Sequence, residues 1–493
     1  MSIPKICGIE TEYGIHVRGS DVSPVVASSM LVNGYGIDTD GVRAWDFQDE
    51  SPDIDARSGQ RPEADFPVVE TLMANTILTN GARYYVDHAH PEYSSPECAT
   101  PLERRSMIRA NTLLEDGVEL IAHKNNSDGK GNSYGCHENY LVDRNVPFGR
   151  LAHSVMAHFV SRQIFCGAGK VGVEAQREGE SWVPFQISQR ADFFEEEIGL
   201  ETTIRRPIVN TRDEPHCDAE RWRRLHVIAG DANMSEVATY LKLGTTALVL
   251  GLIEDKQFPM GLVLKDPVTA IRRISHDPSL QQTVESEGGK LLSALNLQIA
   301  LYEACKDWFE SIDVDPTGGC GGDILHRWGQ VLQYLQNNDS RLSTTVDWWA
   351  KLQIVQGMQE RHQLRDGDLR LRAVDLQYHD MRSDKCLARK IGLETLVTPN
   401  DVNEAVVLAP RSTRAYFRGA CISRWPQHVV SANWDSIVFD VGQTQLQRVS
   451  MPDPMKGTFN HVSELLNRVG TIDELLAELG SETVEPYEQD PGW

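Results

Sequence analysis

At 493 residues the chain can bury a large core and divide into more than one domain. Its 40% hydrophobic and 24% charged content is that of a soluble globular protein, and a formal charge of −23 argues against general nucleic-acid binding, which needs a basic face, while leaving room for a local basic groove. No secretion signal and no membrane-spanning run is expected, and nine cysteines without a C-x-x-C pair are expected to be reduced thiols in a cytoplasmic protein.

Residues 4–15, "PKICGIETEYGI", alternate as a strand that puts Ile6, Gly8, Glu10 and Glu12 on one face and Cys7, Ile9, Thr11 and Tyr13 on the other. Residues 36–66 are rich in Asp, Gly, Pro and Ser and poor in aliphatics, which predicts a long, mobile, acidic loop. A short helix is expected over 69–80, with Asn80-Gly81 turning the chain into the strand "ARYYVDHAH". "SYGCHENYLVDR" (133–144) predicts another strand. From about 218 onward helices are expected to dominate: Leu292, Leu295, Ile299, Tyr302, Cys305 and Phe309 keep helical spacing, as does much of 342–364. "TGGCGGD" (317–323) reads as a loop, and in the C-terminal "TIDELLAELG" Thr471 and Glu474 form a capping box with Gly480 as the stop. Strands and helices do not alternate strictly, so the expected class is α+β, with a domain boundary near 410.

In "ARYYVDHAH" the alternation sets Arg83, Tyr85 and Asp87 on one face and Tyr84, Val86 and His88 on the other, so His88 is expected to point away from Asp87. A face carrying a cation, a phenol and a carboxylate is either solvated or a site. If this strand and the first lie in one sheet, Glu10, Glu12 and Asp87 meet, and unpaired carboxylates repel and are costly to bury. Hard oxygen ligands suit Mg²⁺, with phosphates completing the shell, and Arg83 suits a nucleotide phosphate. The competing reading is a solvated sheet face laced with ion pairs. A metal-hydrolase site built on His88 and His90 would need further histidines at later strand ends and a βα repeat, which the sequence lacks.

Two familiar patterns fail on context. "GNSYG" (131–135) matches G-x-S-x-G, but Ser133 leads into a strand where a nucleophile elbow must lead into a helix. "GAGK" (167–170) has Ile164 where a phosphate loop needs glycine and Val171 where it needs a hydroxyl. His137 shares a strand face with Asn139 and reads either as a satisfied structural histidine or as a metal or phosphate contact. Residues 210–235 gather Arg212, His216, Arg223, Arg224 and His226 into a basic island that could hold an anionic substrate.

Taken together, "GIETEYGI", "LTNGARYYVDHAHPEYSSPEC", "KNNSDGKGNSYGCHENYL", "VSRQIFCGAGKVG", "RPIVNTRDEPHCDAERWRRLHVIAGDANMSE", "LKLGTTALVL" and "RAYFRGACISRW" with "NWDSIVFD" resemble the enzymes of bacterial pupylation, the Pup–protein ligases and their sister Pup deamidases/depupylases. The resemblance runs from residue 8 to about 440. It implies a glutamine synthetase-like fold: a curved antiparallel sheet backed by helices over 1–410, a small C-terminal domain over 411–493 that contributes to the nucleotide site, and a site in the cradle of the sheet. The insertion with "WDFQDESPDIDAR", together with "VDHAHPEYS", "RAYFRG" and "WDSIVFD", is depupylase-like, whereas "GCHENYL" and "IFCGAGK" lean towards the ligases.

By the same resemblance Asp87 is the catalytic carboxylate, Glu10, Tyr85 and Glu92 serve Mg²⁺, Arg83 and Ser95 contact ATP, and Trp434 packs on the nucleotide. Glu12, His137, Arg212 and His226 complete the candidate set. The implied reaction is ATP- and Mg²⁺-dependent hydrolysis of the isopeptide bond between the C-terminal glutamate of Pup and a substrate lysine, and deamidation of a C-terminal glutamine; the implied partners are Pup and pupylated proteins. The alternatives are a ligase and a non-catalytic, nucleotide-dependent Pup-binding module. The acidic insertion is expected to form no core of its own and to gate the site.

Overall fold

Six strands form the central sheet of the computed structural model, which describes residues 2–19, 21–38, 44–47, 50, 54–57, 74–101, 114–115, 118–174, 182–479 and 482–484. Their spatial order is Trp222–Val227, Cys136–Asp143, Cys7–Glu12, His90–Ser94, Arg83–Asp87 and Asn75–Ile77, with every neighbour antiparallel. The first strand and the Arg83–Asp87 strand are thus in one sheet, but with the His90–Ser94 strand between them. Successive side chains alternate across this sheet. Cys7, Tyr84, Val86, Tyr93, Glu138 and Tyr140 turn to the buried face, where the helices Phe148–Ser161 and Glu236–Glu254 contribute to the main apolar core. The other face carries the charges.

The C-terminal part has its own apolar cluster, in which Phe417 of the helix Ala415–Arg424 packs with Ile437, Phe439 and Leu475. Its sheet runs in chain order, Val429–Ala432, Ser436–Phe439, Leu446–Ser450 and Glu482–Val484. Two charged groups tie it to the central sheet: Glu97 accepts from Arg414 Nε at 2.7 Å and from Arg418 Nη2 at 2.5 Å. Burial alone would raise the Glu97 carboxyl, but Arg418 and Arg414 bring it down to about 2.

Several expectations are corrected. Within the stretch expected as a helix over 69–80, the described part contains the strand Asn75–Ile77, which pairs with Arg83–Asp87 across the Asn80-Gly81 turn. Cross-strand pairing of β-branched Thr76 and Ile77 outweighs the local helical pattern. The long apolar helix Glu236–Glu254 does meet the length and composition of a membrane span, but 89% of its apolar window is buried inside the fold, which is how a core helix reads. Helices do not take over at 218: the strand Trp222–Val227 comes first. In the helix Ala294–Glu310 the buried stripe is Leu297, Leu301, Cys305 and Trp308, while Leu295, Ile299, Tyr302 and Phe309 are only partly buried and Leu292 belongs to a preceding strand. Periodicity finds the helix but does not choose between adjacent apolar stripes.

The acidic insertion is the largest correction. The helix Pro24–Asp38 runs into its start. Trp45 is buried in the C-terminal cluster with Phe47 against it, and Asp46 N donates to Ala432 O at 3.0 Å while Asp46 pairs with Arg448 at 2.8 Å. Further on, Ala56 N donates to Thr211 O and Asp213 N to Ile54 O, both at 2.8 Å. Two aromatics and a few backbone bonds anchor the described residues of this stretch, and the expectation of a mobile loop over 39–43, 48–49, 51–53 and 58–66 lies outside the described residues. Asp49 and Asp53 lie outside the described residues, as does Gly480. The capping box forms: Thr471 Oγ accepts from Glu474 N at 3.3 Å and Glu474 accepts from Thr471 N at 3.3 Å.

Candidate active site

Antiparallel register builds the site as two rows on one face of the sheet. Glu12, Glu92 and Tyr85 stand directly opposite one another across three strands. One step along, His137, Glu10, Ser94 and Arg83 do the same across four. Asn139 and His226 extend the face on the outer strands. Residues directly opposed in such a ladder have Cβ atoms about 5 Å apart, so these side chains are forced into contact.

The carboxylates divide into two groups. Oxygens of Glu12, Asp87 and Glu92 come within 4.8 Å of one another, and so do ligand atoms of Glu10, His137 and His226. Glu10 therefore does not meet Glu12 and Asp87 in one cluster, as alternation alone suggests; the intervening His90–Ser94 strand supplies Glu92 to the trio instead. Glu10 accepts from Asn139 Nδ2 at 2.8 Å and from His137 Nδ1 at 3.3 Å. Burial alone would raise its carboxyl, but the His137 hydrogen bond and the charge of Arg224 hold it well below the usual range. Glu12 accepts from Gly135 N at 2.7 Å and lies 3.5 Å from His90 Nδ1; against burial, His90 and His137 hold it low as well. Glu92 goes the other way. Burial and the neighbouring charges of Asp87, Glu12 and Glu10 push it well above the carboxylate range, opposed by a hydrogen bond from Tyr85.

Asp87 is the open member of the trio. Its side chain is 38% exposed, whereas Glu12 and Glu92 are buried. His88 corrects the sequence reading: its backbone turns left-handed, and its Nδ1 lies 2.9 Å from Asp87 Oδ2. His90, which sequence reasoning did not place in the site, stacks on Tyr134 with ring centres 4.4 Å apart.

Arg83 lies with its guanidinium 4.0 Å from the centres of both the Trp45 and the Tyr85 rings, and its Nη1 is 3.8 Å from Glu50. Trp45 in turn meets Trp434 edge-on at 5.2 Å. The insertion thus touches the residue expected to meet phosphate, a contact its composition did not reveal. Beside the rows opens a cleft, continuous with solvent, whose walls include Ile9, Glu10, Ser95, Arg224, Trp434 and Pro454. Ser95 Oγ accepts from Ile9 N at 3.0 Å, which fixes it at the cleft wall. Arg212 bridges to Asp55 of the insertion through the backbone. Nε of Arg212 and Nε and Nη2 of Arg224 are buried without a hydrogen bond among the described residues. Arg224 Nη2 lies 3.7 Å from Glu214 Oε2, and the donors that remain are suited to a further anion. His226 Nδ1 is 3.0 Å from Asn139 Oδ1, and burial keeps its ring well below the ordinary imidazole range.

Neither discounted pattern forms the element its motif would require. Ser133 Oγ accepts from Arg190 Nε at 3.2 Å and precedes a strand. Lys170 begins a short strand and pairs with Glu174.

Comparison with known proteins adds to this geometry. A family model described as Pup-ligase protein matches residues 5–438. The chain is 45% identical to the Depupylase of Acidothermus cellulolyticus over 96% of this chain and 99% of that protein. It is 42% identical to the Pup deamidase/depupylase of Mycolicibacterium smegmatis over 96% and 99%, and 36% identical to the Pup–protein ligase of Gordonia bronchialis over 80% and 90%. Among solved structures, the ligase PafA in complex with Pup is similar with a TM-score of 0.76 at 29% identity, covering 97% of this chain and 95% of that one. PafA in complex with ADP is similar with a TM-score of 0.68 at 32% identity, covering 80% and 89%.

Proposed function

The chain belongs to the Pup-ligase protein family, and from that premise we propose that it is a depupylase, which hydrolyses the isopeptide bond between the C-terminal glutamate of Pup and a substrate lysine and deamidates a C-terminal glutamine of Pup to glutamate. Near-full-length identity to depupylases exceeds that to the ligase. The observation that carries the chemistry is the Glu12–Asp87–Glu92 trio, with one open carboxylate beside two buried ones.

Three carboxylates gathered with Glu92 pushed well above its range fit a divalent cation, and an all-oxygen set fits Mg²⁺. Glu12, Glu92 and Tyr85 would hold one ion, and Glu10 with His137 and His226 offers a second position. Ser95, Arg224 and Trp434 line the cleft; Ser95 and Trp434 would hold a nucleotide there, Trp434 through its base, and Arg224, with Arg83 and Arg212 nearby, would supply positive charge to its phosphates. Bound Mg²⁺ supplies positive charge to phosphates and to the developing oxyanion.

Asp87 supplies the electron pair. It attacks the side-chain carbonyl carbon, giving an anhydride that water opens, or it draws a proton from an attacking water. Both routes consume one water and release the lysine amine and the glutamate carboxylate. The small C-terminal unit, taken as residues 411–493, contributes Trp434 and is held to the sheet through Glu97, Arg414 and Arg418.

The test is a purified Pup conjugate incubated with the protein, with and without ATP and Mg²⁺. Nucleotide-dependent release of Pup and target, lost in Asp87→Asn, is the expected result. New conjugates formed from glutamate-ended Pup, ATP and a target would mark a ligase instead, and Pup binding without turnover a binding module.

A further inference from the structure

Building on the hydrolytic reading above, we propose that His88 is a positioning residue for the reaction: its imidazole holds the Asp87 carboxylate in the orientation that meets the scissile carbonyl.

The hairpin that ends at Asp87 has a loop of only two residues, His88 and Ala89, closed by the pair Asp87 and His90. Of the two loop residues His88 alone has a positive φ, 52°. A positive φ at the first position of a two-residue hairpin loop favours glycine, because a side chain crowds that backbone. Histidine occupies a conformation that glycine would adopt at lower cost.

The same conformation has a consequence for the site. On an extended backbone the ring would project to the face opposite Asp87. The left-handed turn brings it back, with Nδ1 2.9 Å from Asp87 Oδ2. Either the neutral Nδ1–H tautomer or the imidazolium can donate this bond. The turn is pinned from the other side as well: Ser28 Oγ, on the helix Pro24–Asp38, donates to Ala89 O at 2.8 Å.

Asp87 needs such support more than its neighbours do. Glu12 and Glu92 are gripped by burial, whereas Asp87 is 38% exposed at the end of its strand. A bond to Oδ2 fixes the carboxylate plane and leaves Oδ1 for the chemistry. Small misplacements of a reacting group are costly in rate.

The competing role is that His88 only shapes the turn. Three variants separate the two, each assayed for kcat and KM on a purified Pup conjugate with ATP and Mg²⁺. His88→Ala keeps the unfavourable backbone and loses the ring; His88→Gly relaxes the backbone and loses the ring. His88→Asn accepts the left-handed backbone and sets an amide N–H near the position of Nδ1. Positioning requires kcat to fall roughly tenfold or more in both the Ala and Gly variants, with KM within about threefold, and to recover most of the way in Asn. A Gly variant as active as wild type, or an Ala variant within about twofold of it, overturns the proposal while leaving the hydrolytic reading intact. A wild-type protein that does not cleave the conjugate overturns both.

Discussion

The two faces of the central sheet bury carboxylates on opposite terms. On the back, Glu138 is fully buried and accepts from Arg162 at 2.7 and 2.8 Å and from Tyr140 Oη at 2.5 Å. Burial alone would raise it, but Arg162 and Lys242 hold it below the ordinary range. On the front, Glu92 is equally inaccessible, yet its neighbours Asp87, Glu12 and Glu10 add to the burial and push it up. His137 and Asn139, the residues on either side of Glu138, face the front group through Glu10. One strand therefore carries a paired, structural charge on its back and, on its front, the partners of Glu10 beside the uncompensated trio. A buried charge that holds the fold together is neutralised within the fold; one left without a cation is matched to something the chain binds.

The contrast is broken most severely at Arg162. Arg162→Met strands Glu138 in the core and is expected to destabilise by about 3–5 kcal/mol, whereas Arg162→Met combined with Glu138→Leu is expected to be far milder. Urea denaturation of both variants checks this, and equal losses would mean that pairing is not what secures the back face.

Opposite pH slopes sharpen the same contrast. Glu97, lowered to about 2 from an ordinary 4.5 by Arg418 and Arg414 against its burial, contributes stability that is complete above its unfolded value and is lost as pH falls from about 4.5 towards 2. At neutral pH Glu97→Gln should cost on the order of 3 kcal/mol, taking about 1.36 kcal/mol per pKa step. Glu92, raised by burial and then by Asp87 and Glu12, has the reverse sign: in metal-free protein its contribution is present below its unfolded value and is lost as pH rises through its raised one. Glu92→Gln should therefore stabilise metal-free protein at neutral pH. Thermal melts of both variants across pH read the two signs, and slopes of the same sign would refute the distinction.

Smaller effects are expected at the edges of the front face. Trp434→Ala should weaken ATP binding by about 1 kcal/mol, roughly fivefold, with a lesser change in turnover at saturating ATP; unchanged affinity by calorimetry would remove Trp434 from the nucleotide. Trp45→Ala releases Arg83 from one of its three aromatic contacts and should alter the rate or lag of conjugate cleavage by about twofold to fivefold. Time courses at several ATP concentrations that superimpose on wild type would make the insertion an inert tether rather than a gate.

What the sequence disclosed follows from which rules are local. Period-two alternation grouped Glu10 with Glu12 and Arg83 with Tyr85 and Asp87, because side-chain direction in a strand is a local property. It did not disclose which strand lies between them, since strand order is set by distant pairing, so Glu92 entered the carboxylate set only by resemblance. His88 was misplaced because a single left-handed residue reverses the alternation. Trp45 was missed because two aromatics in a polar stretch carry no period, although a tryptophan in an otherwise acidic insertion was the available signal. The C-terminal capping box was legible because its residues lie within one turn.

The central claim, that the uncompensated front cluster is a cation site, is tested most directly by calorimetric titration of Mg²⁺ into nucleotide-free wild-type and Glu92→Gln protein. Saturable binding by wild type, with affinity at least roughly tenfold weaker in Glu92→Gln, is the expected result. Wild-type protein that takes up no Mg²⁺, or a Glu92→Gln variant that binds it as tightly, would contradict the claim.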